Sequence, residues 1–332
     1  MENKTHVFLR GKLYFLVLKI STQIKTSKNI LVLLIILSVS LLCWWELQLI
    51  SYKAYDLHHD VNYFDHFKRN RNLEDYIKEI NLLQEPSTLP CRDNISILVT
   101  VASSPFHVKQ REAIRITWAT RLRTLFIIGL NNAKEIDHLS DRHKGDLVVY
   151  QFQEHYQNLT LKTALMLKWT AQKCSSKIKF LLKTDDDILI NPWQIERIVK
   201  ENLDADLIGY KNENAAVYHN EDEKWFLPHW LYADDMVPEY LSGNAYLING
   251  KHILQILKAA YSVPVINIED IYFTFLVAKK KLGLRLTHEP RLRGFKPWLP
   301  LTQFYWNLAS VHSLSPTEML KWWSKLVTMG EK

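Results

Sequence analysis

Glycine is scarce in this chain, nine residues in 332, where an average protein carries roughly 7%. A fibrous or low-complexity chain is excluded, and Gly129, Gly209, Gly243 and Gly283 become candidate turns. Cysteine is rarer still, at three residues. A surplus of positive charge is also missing where it would matter. The formal charge is +7, but Lys4, Arg10, Lys12, Lys19, Lys25 and Lys28 stand against Glu2 alone ahead of the first apolar run. Five of the seven charges therefore belong to the N-terminal tail, and the near-neutral remainder gives no reason to expect a nucleic-acid partner. What is abundant is core material: 47% hydrophobic and 12% aromatic residues, enough to bury a sizeable core.

The apolar run is ILVLLIILSVSLLCWW, Ile30 to Trp45. Extended to Ile50 it approaches the roughly 20 residues that span a bilayer. Trp44 and Trp45 suit a membrane interface, and the basic flank before the run places the N-terminus in the cytosol. A cleaved signal peptide is the alternative, but no small-residue cleavage site follows the run. The expected organisation is a cytosolic tail at 1–29, a single-pass type II membrane anchor at 30–50, a stem at 51–93 and a lumenal domain at 94–332. With Cys43 inside the anchor, Cys91 and Cys174 remain in a disulfide-permissive compartment. Each precedes an apolar strand-like run. If those strands are parallel neighbours, both cysteines lie at one sheet edge and can bridge; two free thiols are the alternative. Sequons at Asn94-Ile95-Ser96 and Asn158-Leu159-Thr160 agree with a secretory location.

From Ile95 onward, strand-like and helix-like segments alternate. Ile95 to Val101, Leu125 to Gly129, Leu147 to Phe152, Ile178 to Leu182, Asp206 to Gly209 and Ala245 to Ile248 read as strands. Val108 to Trp118, Leu161 to Lys173, a segment opening at Pro192, Lys251 to Ala260 and Asp270 to Lys281 read as helices. Such alternation predicts an α/β fold with a mostly parallel sheet covered by helices on both faces.

Three clusters carry possible chemistry. Lys183-Thr184-Asp185-Asp186-Asp187 ends a buried strand, and ligands of open α/β sheets bind outside strand carboxyl ends. Crowded carboxylates repel unless a cation neutralises them. Hard oxygen ligands favour Mg2+ or Mn2+, whose shell substrate phosphates commonly complete. A solvated acidic turn is the alternative. Arg111, Arg115 and Trp118 share one face of a helix, offering guanidinium forks to phosphate, or else forming an ion-paired helix with a core tryptophan. Glu269-Asp270 could supply a general base or simply cap the helix that follows.

Six segments then occur in order: REAIRITW at 111–118, YQNLTLKT at 156–163, KTDDDILIN at 183–191, PEYLSGNAYLI at 238–248, EDIYFT at 269–274 and VHSLSPTEMLKWW at 311–323. Together they resemble the β1,3-galactosyltransferase and β1,3-N-acetylglucosaminyltransferase family, inverting type II Golgi enzymes. The resemblance covers about residues 94–326. It implies a GT-A fold with a Rossmann-like, mostly parallel mixed sheet. It also implies a UDP-sugar donor, a glycan acceptor on glycoprotein or glycolipid, and Mn2+ or Mg2+ as cofactor. By position, Asp185 and Asp187 become metal ligands together with His312. Asp185 and Asp186, with Lys183, Arg111, Arg115 and Trp118, fall on the nucleotide-sugar side, Gly243 and Tyr246 on the acceptor side. Asp270, with Glu269 beside it, becomes the acceptor's base. The pattern is broken at Glu154-His155, where many relatives carry Asp-Ser, at Asn244-Ala245, and at Phe275, where relatives usually have glycine. The expected reaction is β1,3 transfer of a sugar, foremost galactose. N-Acetylglucosamine transfer by the same fold, a non-catalytic Golgi binding protein and a soluble metal-dependent phosphotransferase are its rivals.

Overall fold

A computed structural model describes residues 35–41, 70–221 and 223–331. The expected cytosolic tail, most of the expected anchor and the first part of the expected stem lie outside the described residues. Residues 35–41 are helical; among the described residues no helix is long and apolar enough to cross a membrane. The chain divides into two compact units, Met1–His59 and Asp60–Lys332, and the site lies in the second.

That unit begins earlier than expected. Helix α1 (Leu73–Lys78) buries Leu73 and Ile77, and strand β1 (Leu82–Gln84) pairs antiparallel with β4 (Leu147–Gln151). The Arg71 guanidinium donates to the carbonyls of Val265 and Leu231 at 3.1 and 2.9 Å. Residues 70–93 are therefore domain rather than stem. Their short helix and single edge strand have too little period to stand out from a polar linker.

The main sheet has eight strands in the order β1-β4-β3-β2-β5-β8-β7-β9. At its centre β2 (Ile95–Ala102) lies parallel to both β3 (Arg123–Leu130) and β5 (Ile178–Asp185), and β3 lies parallel to β4. Strand β8 (Met236–Asn249) runs antiparallel to β5 and to β7 (Leu207–Ala216), and β9 (Leu286–His288) joins β7 in parallel. The sheet is therefore mixed: β2 to β5 form the parallel part that the alternation implied, and β1 and β8 enter it antiparallel. Side chains alternate across it with the strand period of two: Leu98 and Ala102 enter one core, Ile97, Val99 and Val101 the other. The first core is closed by α1, by α3 (Leu159–Lys173) and by α5 (Ile253–Ala260). The second is closed by α2 (Val108–Arg115), α4 (Pro192–Glu201), the short α6 (Thr302–Trp306) and α7 (Pro316–Gly330). Pro at the first helical turn and a side-chain cap start α4, where Asn191 accepts from the Gln194 amide. A Ser315–Glu318 capping box starts α7.

Sequence periodicity erred at several boundaries. The expected helix Val108 to Trp118 stops at Arg115, and a 3-10 turn takes Trp118–Thr120. The expected helix after Asp270 is a π-helix, Ile271–Lys281. Strand β8 is far longer than Ala245 to Ile248, because Met236 to Leu241 also pair with β7, beyond an irregularity, although they lack a strand-like apolar run. Gly129, Gly209 and Gly243 lie within strands rather than turns; of the four, only Gly283 takes a positive φ, +70°. The Cys91–Cys174 disulfide is formed, with Cα atoms 5.6 Å apart. It lies beside the pairing of Ile95 with Ile178 at the start of β2 and β5.

Candidate active site

Strand β5 delivers its acids to the carboxyl edge of the sheet because every residue from Phe180 to Thr184 is held by a ladder on both sides. Asp185 is the last strand residue, and the chain turns there. The three consecutive acids consequently face different surroundings.

Asp185 faces Lys183, whose ammonium is 3.1 Å from its Oδ1. Lys183 is 2% exposed, and its three N–H bonds are all used: Asp185, Glu269 at 3.2 Å and the Gly243 carbonyl at 2.8 Å. Burial opposes that charge, yet Asp185 and Glu269 hold the ammonium above its ordinary pKa. Glu269 is equally occupied. Its Oε1 accepts from the Tyr246 hydroxyl at 2.6 Å and its Oε2 pairs with Lys183.

Asp187 faces His312, with 3.2 Å between Oδ2 and Nε2. A two-stranded antiparallel ribbon, β6 (Leu189–Ile190) with β10 (Ser310–Val311), brings them together, and the Leu314 amide donates to the Asp187 carbonyl at 2.9 Å. Ser313, with φ +61°, places its hydroxyl 2.9 Å from His312 Nδ1. A non-glycine residue in the left-handed region is costly and is kept where the surroundings over-determine it. Hydrogen bonding at Nδ1 fixes the ring while Nε2 points at Asp187, as in a ligand held by its outer partner. Asp187 and His312 thus present one oxygen and one nitrogen 3.2 Å apart, donor types that suit a divalent cation; among the described residues Asp185 does not gather with them into one close group of ligand atoms.

Asp270 caps the π-helix from the far side of this cluster. Its Oδ1 accepts from the Ile271 amide and its Oδ2 from the Gly243 amide, both at 2.9 Å. Desolvation, reinforced by the Glu269 charge and opposed by Lys183 and the two amides, pushes its pKa up to about 7. Gly243 therefore connects both halves, carbonyl to Lys183 and amide to Asp270. A Cβ there would stand 3.1 Å from Asp270 Oδ2. The unusual helix is pinned by Thr274, whose hydroxyl donates to the Asp270 carbonyl at 2.6 Å and accepts the Leu241 amide at 2.9 Å. π-Helical turns are frequent at functional sites.

Several expected site residues occupy other places. Asp186 is buried away from Asp185 and Asp187, accepting from Ser103 Oγ at 2.7 Å and contacting His107 Nδ1 at 2.9 Å. Arg111 is fully buried and forms a two-point pair with Asp141, 2.6 and 2.9 Å, while its third nitrogen holds Ser103 Oγ at 3.0 Å. Arg115 pairs with Asp146 and Asp141 at 2.7 and 2.9 Å. Trp118 is buried, its indole donating to the Ile188 carbonyl at 3.1 Å. The Arg111, Arg115 and Lys183 cations are thus engaged within the protein, by carboxylates that for the two arginines are distant in sequence, and Arg111 also braces the turn after β2. Glu269 is buried, with one oxygen on Tyr246 and the other on Lys183, and stands as the counter-ion of that ammonium. Tyr246 is fully buried, its hydroxyl donating to Glu269. Phe275 packs in the core rather than lining the cleft. Ser103, Asp141 and Thr274 escaped sequence reasoning because their partners Asp186, Arg111 and the Leu241 amide lie on other elements; Ser313 escaped it because only the fold sets its left-handed turn against His312.

Comparison with known proteins defines the chemistry. The galactosyltransferase family model matches residues 109–288. Beta-1,3-galactosyltransferase 5 of Homo sapiens is 30% identical over 267 residues, 76% of this chain and 84% of that protein. Beta-1,3-galactosyltransferase 1 of Mus musculus is 29% identical over 262 residues, 74% of this chain and 78% of that protein. A solved glycosyltransferase involved in glycosylation of the major capsid of PBCV-1 aligns with 68% of this chain and 98% of that one, at 13% identity and a TM-score of 0.34, too loose to bear on fold or function. The class defined is the glycosyltransferases, with a nucleotide-sugar donor and a glycan acceptor. Within that class the chain belongs to the galactosyltransferase family.

Proposed function

We propose that this protein is a Golgi membrane enzyme that transfers galactose from UDP-galactose to a glycan hydroxyl in β1,3 linkage, with inversion at the anomeric carbon. The observation that carries the mechanism is Asp270: a partly buried carboxyl with a pKa of about 7, joined through Gly243 and Lys183 to the acid pair that ends β5. A general base works best when its pKa lies near the operating pH. The two amides fix the carboxylate plane while each oxygen keeps a lone pair for an incoming hydroxyl. Asp270 takes the acceptor proton as the oxygen attacks in line, opposite the departing diphosphate, so an α-linked donor gives a β-linked product.

Asp185, Asp187 and His312 would hold Mn2+ or Mg2+, which when bound neutralises charge on the diphosphate. Lys183 orients Asp185 and offsets part of the burial that raises its pKa. Galactose as donor is supported by the names of the relatives; the lumenal location is supported by the apolar run at 30–45, its basic flank and the disulfide. The test is a donor screen with the purified protein, scoring UDP release with Mn2+ and with EDTA. Turnover of UDP-galactose that EDTA abolishes is expected. Turnover of UDP-N-acetylglucosamine alone would change the donor, and no turnover of any UDP-sugar would remove the reading.

A further inference from the structure

The connection between β7 and β8 holds a second group of metal-binding side chains, His219, His229 and Asp235, whose ligand atoms lie within 4.8 Å of one another. None of them takes part in the site described above. Backbone bonds build this place: the Val217 amide donates to the Asp235 carbonyl and the Leu227 amide to the Tyr218 carbonyl, both at 2.8 Å. The His219 and His229 rings stack with centroids 3.5 Å apart and planes 20° apart.

His219 is the informative residue. Its Nδ1 lies 2.6 Å from the Leu227 carbonyl. A carbonyl only accepts, so Nδ1 carries the proton, and in the neutral ring the lone pair is left on Nε2. That Nε2 is buried and has no hydrogen-bond partner, with Asp235 Oδ1 3.5 Å away. A buried unpaired acceptor requires an explanation. A ring fixed by a carbonyl at one nitrogen and open at the other is the standard setting of a metal-ligating histidine.

We propose that His219, His229 and Asp235 form a second cation site, for Zn2+ or a similar borderline transition metal, which ties the two ends of the β7–β8 connection together. Two imidazoles and one carboxylate are a three-ligand zinc set, with water as the fourth ligand. Tetrahedral zinc ligands stand roughly 3.4 Å apart, close to the 3.5 Å already between His219 Nε2 and Asp235 Oδ1, and the stacked His229 ring must swing off His219 to bring its own nitrogen to the ion. Asp235 and His229 are exposed and free to make that movement. The same connection carries Trp225, whose indole donates to the Tyr156 hydroxyl at 3.1 Å. A cation here would therefore stiffen the segment that meets the start of the helical region before α3.

The test is Zn2+ uptake by the full chain, stripped with chelator and carrying Asp187→Asn to disable the cation site at β5. One Zn2+ per chain is expected in that background, with Co2+ giving the visible absorption of a low-coordinate nitrogen and oxygen site. Adding His229→Ala, at an exposed position, should reduce uptake to zero while near-ultraviolet circular dichroism stays native; Asp235→Asn should do the same. Absence of uptake in the Asp187→Asn protein overturns the proposal, as does uptake that survives both further substitutions.

Discussion

Replacing Lys183 with methionine tests the electrostatic core of the site. The side chain is 2% exposed and lies at hydrogen-bond distance of both Asp185 and Glu269. Methionine fills a similar volume, so little of the effect comes from a cavity. Removing one partner of a buried ion pair costs about 3–5 kcal/mol, because the remaining charge is left uncompensated. For a domain of this size that is a fall in melting temperature of roughly 6–20 °C. The charge of Lys183 also holds the Asp270 pKa down from where burial and Glu269 would push it. The acid limb of the kcat/KM profile, expected near pH 7 in the wild type, should therefore move to higher pH in Lys183→Met. Below that limb the rate should drop about tenfold per pH unit as the base is protonated. Adding Glu269→Gln removes the orphaned charge, so the double variant should melt above Lys183→Met. Calorimetric melting and a pH–rate series measure both effects. A melting temperature unchanged in Lys183→Met, or an acid limb that stays put or moves down, would refute the ion-pair account.

Asp270→Asn should lower kcat by about 10^2 to 10^4, the usual contribution of a positioned base, while UDP binding measured by calorimetry holds; lost UDP binding with intact turnover would remove Asp270 from the role. Gly243→Ala should keep the fold and depress turnover, because the new Cβ presses on Asp270 Oδ2 from 3.1 Å. If the domain is lumenal, mass spectrometry should find glycan on Asn94, which is exposed. Asn158 should be bare, since it is 7% exposed and its amide donates to the Gln153 carbonyl at 2.8 Å. Reducing Cys91–Cys174 opens a link across 83 residues, and melting under reductant should show a loss of about 2–5 kcal/mol.

The sequence alone determined the alternation of strands and helices, because burial leaves a period of two or an unbroken apolar run wherever a β-strand crosses a core. It also placed an acidic triplet at the end of a buried strand and a carboxylate at the mouth of a later helix, both visible without coordinates. Tertiary structure decided what each of those acids does. Asp185, Asp186 and Asp187 are chemically identical neighbours, yet one meets Lys183, one Ser103 and His107, and one His312, through partners up to about 125 residues away. The same holds for Arg111 and Arg115, which look available on a helix until Asp141 and Asp146 fold against them. Hydrophobic pattern is local and survives in one dimension; the pairing of charges is set by which elements pack together, and only the folded chain specifies that.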